Sequence, residues 1–259
     1  MALSDKDRQG ITIIVVVVVA VVGLLLASQL LKPPTRYPNG CLASGWQTST
    51  VILLDHSEGI STQTGREIET RVVDFINNSV PTNGHVSLYT ISDESARALV
   101  PVFDGCKPPS TGNQFTQSEK SIRLHFNRDF MGKLKAALHQ QFSDSTTSPI
   151  AQAVSDLSQS EDLRTESSNL LVFSDMIENS PQLDMYHCSG ATDPVQEYRA
   201  ANAGAVERPT FRNVAIVLNM IPRRGLSQAT LQCRKRFWPW FFGDDAGPSA
   251  SLNSNYLPG

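Results

Sequence analysis

The apolar run Val51-Ile52-Leu53-Leu54 ends on a carboxylate, Asp55, and a serine follows two positions later at Ser57, with Gly59 and Ser61 beyond it. A second apolar run, Asn169-Leu170-Leu171-Val172-Phe173-Ser174, also ends on an aspartate, Asp175, and Ser148 stands before Pro149 in "TSPIAQAV". Two carboxylates and two hydroxyls offer the hard oxygen donors that Mg2+ or Mn2+ takes. A strand that closes on aspartate also suits a covalent carboxylate nucleophile. Taken singly, Asp55, Ser57, Ser148 and Asp175 are each a good acceptor for the open N–H groups of a helix start.

The nucleophile reading is the weaker one. Phosphohydrolases of the haloacid-dehalogenase-like class need a second aspartate two residues after the first, where this chain has Ser57, and "FSDMIENS" supplies Asp175 and Glu178 without a matching lysine. No GxSxG elbow and no GxxxxGK[ST] phosphate loop occurs in the sequence. His56, His85, His125, His139 and His187 show no metal-ligand spacing and read as structural or surface residues. A net charge of −3 gives no general attraction to nucleic acid. "NNS" places a glycosylation sequon at Asn77, meaningful only in a eukaryotic secretory setting.

The elements that must position these residues emerge from periodicity. After the first strand, Ile68, Val72 and Ile76 recur at four-residue steps, which predicts a helix over 62–79, with Thr64 and Glu67 at capping-box spacing. Residues 85–92 and 98–105 read as strands separated by only five residues, too few for a parallel crossover, so they form a hairpin. Pro101 puts the second of them at a sheet edge. A long helix near 118–142, a shorter one opened by Pro149, and apolar strands over 169–175 and 211–221 come next. The segment "LSQATLQCRKRFWPWFF" reads as a helix with Leu231, Trp238 and Phe242 near one face, and 249–256 as a last edge strand. Continuous apolar strands alternating with helices imply a parallel sheet covered on both faces. In such sheets sites form at strand C-termini, at a topological switch point, which is where Asp55 and Asp175 lie.

The N-terminus is of another kind. Ile11 to Leu31 carries no charged residue, and these 21 residues span about 32 Å as a helix, enough for a bilayer core of about 30 Å. The run is longer than the apolar part of a cleaved signal peptide, so an uncleaved signal-anchor is expected. Lys6 and Arg8 before it balance Lys32 and Arg36 after it. The simpler topology leaves the ten-residue tail in the cytoplasm and puts the large C-terminal domain in the periplasm or outside the cell. The organisation is then a tail over 1–10, a transmembrane helix over 11–31, a Pro/Gly-rich linker over 32–45 and a domain over 46–259. Four cysteines, Cys41, Cys106, Cys188 and Cys233, all lie after the span; an even number fits two disulfides in an oxidising compartment, against four buried free thiols in a reducing one.

"DHSEG" after the first strand, "TSPIAQAV" opening a helix and "LLVFSD" ending a later strand, in that order and with the hairpin between, resemble the von Willebrand factor A (vWA) domain, the integrin I-domain fold, over roughly residues 46–257. The resemblance implies an α/β, doubly wound, mostly parallel sheet with one antiparallel edge hairpin, here preceded by a transmembrane helix. It also implies a metal-ion-dependent adhesion site of the pattern Asp-x-Ser-x-Ser, a later Thr and a later Asp. Asp55, Ser57 and Asp175 match that pattern, Ser148 stands for the Thr, and Gly59 departs from it by removing one hydroxyl. The function implied is that of a non-enzymatic module that docks a protein partner in the membrane or envelope, through Mg2+ or Mn2+ or as a metal-free scaffold. In the inferred sheet Cys41 and Cys106 fall at the bottom and Cys188 and Cys233 at the top, so the expected disulfides are Cys41–Cys106 and Cys188–Cys233.

Overall fold

The computed structural model describes residues 5–30, 34–57, 59–92, 98–111, 118–140, 145–203, 208–243 and 250–258. The chain divides into two compact units, residues 1–36 and 37–259. The first holds one helix, α1 (Asp5–Leu30), whose side chains are described over 13–26; the large apolar ones among these are exposed. Those positions account for roughly 21 Å of helical rise, short of the roughly 30 Å of a bilayer core. Among the described residues, accordingly, no helix is long and apolar enough to cross a membrane. The ends of the run 11–31 lie outside the described side chains.

The second unit is built in chain order from β1 (Thr48–Asp55), α2 (Thr62–Ser79), β2 (His85–Ile91), β3 (Phe103–Cys106), α3 (Glu119–His125), α4 (Gly132–Leu138) and α5 (Ile150–Gln159). It continues with β4 (Ser167–Ser174), β5 (Asn179–Ser180), β6 (Leu183–Asp184), α6 (Pro194–Ala201), β7 (Val214–Met220), α7 (Gln228–Phe242) and β8 (Ala250–Tyr256). Six strands form one sheet in the order β3-β2-β1-β4-β7-β8, while β5 and β6 make a small separate hairpin. All neighbours in the large sheet are parallel except β2 and β3. The α/β architecture with one antiparallel edge is therefore present.

Alternation along β1 shows why both faces are covered. Val51 and Leu53 belong to one core with Ile150, Val154, Phe237 and Phe241 from α5 and α7. Ile52 and Leu54 belong to the other, with Ile68, Val72 and Ile76 of α2 and Phe130 and Leu134 of the α3–α4 segment. Strand order reverses between β1, which continues outward to β2, and β4, which continues outward to β7. That reversal opens a crevice above the ends of β1 and β4.

Several local expectations shift. The strand expected over 98–105 pairs only from Phe103; Pro101 has no N–H to offer a ladder, and the residues before it lie outside the strand. The helix expected over 118–142 is interrupted by a π-helical turn, Phe126–Met131, which turns Phe126, Phe130 and Met131 into the core. Gly132 comes directly after this turn, where a side-chain carbon would stand 3.1 Å from the Asn127 carbonyl oxygen. The cap of α2 is Ser61, whose Oγ accepts from Thr64 N at 3.1 Å, so Thr64 sits inside the helix, and Glu67 instead pairs with Arg71 at 2.9 Å. On α7, Trp238 and Phe242 are buried as expected, whereas Leu231 is half-buried and Cys233, Phe237 and Phe241 complete the inward face.

The cysteines pair as their places in the sheet required. Cys41 is bonded to Cys106 with Cα atoms 4.8 Å apart, and Cys188 to Cys233 at 6.5 Å. The first bond fastens the entry of the second unit to the end of the edge strand β3. The Asn39 amide adds a 2.9 Å hydrogen bond to Asp104 on the same strand, and the Trp46 ring stacks on His85 with centroids 4.2 Å apart.

Candidate functional site

Asp55 is the last residue of β1 and is 5% exposed. Its neighbours satisfy it with hydrogen bonds from uncharged donors. Oδ1 accepts from the backbone N–H of Ser57 at 3.0 Å, which closes a tight turn after the strand. Oδ2 accepts from the hydroxyls of Ser174 at 2.7 Å and Ser148 at 3.2 Å. The carboxylate thus binds together the ends of β1 and β4 and the segment that leads into α5. Next to it, burial lowers the pKa of His56, against a smaller opposing effect of the Asp55 charge.

Asp175 comes directly after β4 and is also 5% exposed. The chain turns sharply there: Met176 has φ 59°, a left-handed conformation unusual for a residue with a side chain. Two contacts hold that turn. Ser174 Oγ accepts from Met176 N at 2.8 Å, and the Trp238 indole N–H donates to the Met176 carbonyl at 2.7 Å. Asp175 Oδ1 accepts from Ile177 N at 2.9 Å, and Oδ2 accepts from Nε of Arg223 at 2.8 Å. Arg234 of α7 donates to the Asp175 carbonyl oxygen at 2.9 Å. Burial, and next the negative charge of Asp55, raise the Asp175 carboxyl pKa; the Ile177 N–H and Arg223 pull the other way.

Ser148 reaches the site through a backbone bridge, with its N–H donating to Asn179 O at 2.7 Å and its carbonyl accepting from Asn179 N at 3.1 Å. The neighbouring Glu178 is buried at 1% exposure, and its Oε2 accepts from the Ala151 N–H at the start of α5 at 2.9 Å. Burial pushes the Glu178 carboxyl up to about 8.

Above these residues lies a cleft of ≈ 540 Å3 at the reversal point of the sheet. Asp55, Ser57 and Asp175 lie along it with Gly59, Ser61, Thr64, Arg223 and Arg224. Three of the four expected site residues therefore share the cleft, and Ser148 joins them through its bond to Asp55 rather than by lining it.

The residues do not fit a divalent cation as they stand. Gly59 removes a donor, although a side-chain carbon there would meet nothing within 4 Å, so the space for one exists. Asp55 Oδ2 is engaged by two hydroxyls. Asp175 Oδ1 is engaged by the Ile177 N–H and Oδ2 by a guanidinium. Among the described residues no cluster of three or more His, Cys, Asp or Glu side chains is grouped to hold a metal ion.

Arg223, Ser174 and Glu178 were not singled out by sequence as a functioning set. Arg223 had one signal, its place in "IPRRG" directly after the third apolar strand, where a loop must pass the ends of its parallel neighbours. A Ser-His-Asp arrangement also exists elsewhere: Ser49 Oγ shares a hydrogen bond with His85 Nδ1 at 3.2 Å, and His85 Nε2 pairs with Asp104. Ser49 is 1% and His85 2% exposed, so the hydroxyl has no open face to meet a substrate, and the arrangement is a structural tie.

No protein-family model matches this chain, and no curated protein matches it. Among solved structures the chain is similar to the vWA protein VWA2, the ArnB paralog of Sulfolobus acidocaldarius, at 10% identity and TM-score 0.34, covering 67% of this chain and 34% of that one. It is similar to proximal thread matrix protein 1 of the mussel byssus, whose structure has a zinc-occupied MIDAS motif, at 10% identity and TM-score 0.37, covering 82% and 44%. It is likewise similar to the SpRpn10 VWA domain at 14% identity and TM-score 0.36, covering 82% and 89%. The chain spans about a third of the length of the first of these and less than half of the second.

Proposed function

We infer that this protein is a membrane-tethered docking module in which a vWA-like domain holds a partner protein at the cleft above β1 and β4, without catalysing a reaction. The cleft carries the reading. It lies at the reversal point of a parallel sheet, where such folds bind ligands; Ser61 and Arg224 are exposed along it, Arg223 is partly exposed, and both aspartates are buried. A second hollow of ≈ 280 Å3 shares Arg223 and Arg224 and adds Tyr186, which is 40% exposed. Arginine and tyrosine are the side chains most often found anchoring protein interfaces. With Arg224 exposed beside the cleft, the docked segment carries an acidic group.

The tether is the charge-free run Ile11 to Leu31, with the tail 1–10 in the cytoplasm and the domain in the periplasm or outside the cell. Two disulfides in the second unit suit that compartment.

Site-specific photo-crosslinking in intact cells tests this. A crosslinker at Ile60 or Tyr186 is expected to trap one discrete protein, and Arg224→Glu to abolish the product. A crosslinker at Arg164, in a hollow with Leu163 and Arg212 on another part of the domain, is expected to trap nothing. Equal labelling from all three positions refutes the cleft as the docking face. External protease that spares the domain in spheroplasts refutes the topology.

A further inference from the structure

We propose that the guanidinium of Arg223 is the resident cation of this site, standing where a divalent metal ion would otherwise balance the two carboxylates, so that partner capture is independent of metal. The inference rests on the docking reading only for its consequence; the charge arrangement stands by itself.

Asp55 and Asp175 end two adjacent parallel strands, and each is 5% exposed. Two carboxylates buried beside one crevice need compensating charge or strong donors. Asp55 obtains hydrogen bonds from one backbone N–H and two hydroxyls, none of which carries a charge. Asp175 has a cation on its carboxylate: Arg223 reaches back from the loop after β7 to place Nε 2.8 Å from Oδ2. The same loop carries Gly225 at φ 79°, a left-handed position suited to glycine, which lets the chain turn immediately after the two arginines. Arg223 is largely sheltered too, its side chain being 23% exposed against 6% for Asp175. A sheltered guanidinium hydrogen-bonded through Nε to a buried carboxylate is a fixed partner rather than a wandering surface charge.

The departure at Gly59 agrees with this arrangement. A third hydroxyl would serve a metal's coordination shell, whereas Arg223 already has its carboxylate acceptor without one, and the open space beside Gly59 shows that crowding did not exclude it. A divalent cation at Asp175 Oδ2 would stand against the Arg223 guanidinium already bonded there, and the like charges oppose its entry.

The test uses the full chain in mild detergent and reads melting temperature with a chelator and then with millimolar Mg2+ or Mn2+. Wild type is expected to melt at the same temperature in all three conditions. Arg223→Ala is expected to melt lower, and Arg223→Ala combined with Gly59→Ser to regain melting temperature in a cation-dependent way. A cation-dependent rise in wild type overturns the proposal. So does an Arg223→Ala protein that melts like wild type, or a vacated site that answers to no cation even with Gly59→Ser. Should Arg223→Ala fail to fold, Arg223→Ala with Asp175→Asn decides: recovery of folding supports the ion pair as the balancing element, and failure to recover overturns it. None of these readings needs the partner, so a failed crosslinking experiment and a failed resident cation are told apart.

Discussion

Glu178 offers a sharp test of how the site is assembled. Its carboxyl is 1% exposed and faces the first turn of α5, where Oε2 accepts the Ala151 N–H at 2.9 Å. Burial raises its pKa from 4.5 to about 8, so the folded protein binds this proton far more tightly than the unfolded chain does. The stabilising contribution of the proton is complete below about pH 4.5 and is lost as pH rises through about 8. At about 1.4 kcal/mol per tenfold change in proton affinity, roughly 5 kcal/mol separates the two limits, and about 3 kcal/mol is already lost near neutrality. Glu178→Gln keeps the shape and an acceptor for Ala151 but cannot ionise. The variant is expected to match wild type below about pH 4.5, to draw ahead progressively above it, and to exceed it by several kcal/mol in mildly alkaline buffer, measured by urea unfolding of the second unit's tryptophan signal. A difference between the two proteins that does not change with pH refutes the assignment of this cost to Glu178.

Three further outcomes rest on specific contacts. Lys107, at 6% exposure, donates to the carbonyls of Ile76 and Val80 at 2.7 Å and Asn77 at 3.2 Å, closing the C-terminal end of α2; Lys107→Met is expected to cost about 2–4 kcal/mol in urea unfolding, since charged hydrogen bonds to a helix end are lost. Asp55→Ala leaves the hydroxyls of Ser148 and Ser174 and the Ser57 N–H without their acceptor; a loss of about 2–4 kcal/mol is expected together with loss of the Ile60 crosslink, and a variant with wild-type stability contradicts the role given to this carboxylate. Removing the Cys41–Cys106 bond by Cys41→Ser with Cys106→Ser opens a loop with a sequence separation of 65, for which chain entropy gives about 4 kcal/mol; a non-reducing peptide map that joins Cys41 to any cysteine but Cys106 refutes the pairing.

The fold was legible where burial dictates residue type. Strands covered on both faces must be apolar throughout, so β1, β4 and β7 stand out as unbroken runs. β2 and β3 are antiparallel as expected, although the eleven residues 92–102, and not the five inferred from sequence, connect them. The same geometry placed the cysteines, because Cα atoms joined by a disulfide cannot lie at opposite ends of a sheet. Features that depend on a few local donors were less visible. Thr64 and Glu67 have capping-box spacing, yet Ser61 wins the cap because its oxygen meets Thr64 N while Glu67 is drawn to Arg71. Nothing in "EKSIRLHFNRDFMGKL" signals the π-turn, which answers to the need of Phe126, Phe130 and Met131 to share one core.

At the site, the sequence showed the acceptors and missed the cation. Asp55, Ser57 and Asp175 are found because each stands at a fixed offset from the end of an apolar run, and such offsets survive in one dimension. Arg223 lies 48 positions from Asp175 and meets it only because β7 is the parallel neighbour of β4. An arginine in an exposed-looking loop has no periodicity to mark it, and its long side chain can reach either solvent or a buried carboxylate. What distinguishes the two is whether a carboxylate within reach lacks another balancing charge. Among the described residues Asp55 meets neutral donors, while Asp175 takes Arg223, from the loop after β7, on its carboxylate and Arg234, from α7, on its carbonyl. A pattern that resembles a metal site is therefore read for the charges beside its carboxylates as well as for the ligand it lacks. A lost hydroxyl alone would weaken a metal site; with Arg223 on Asp175, the proposed cation is the guanidinium.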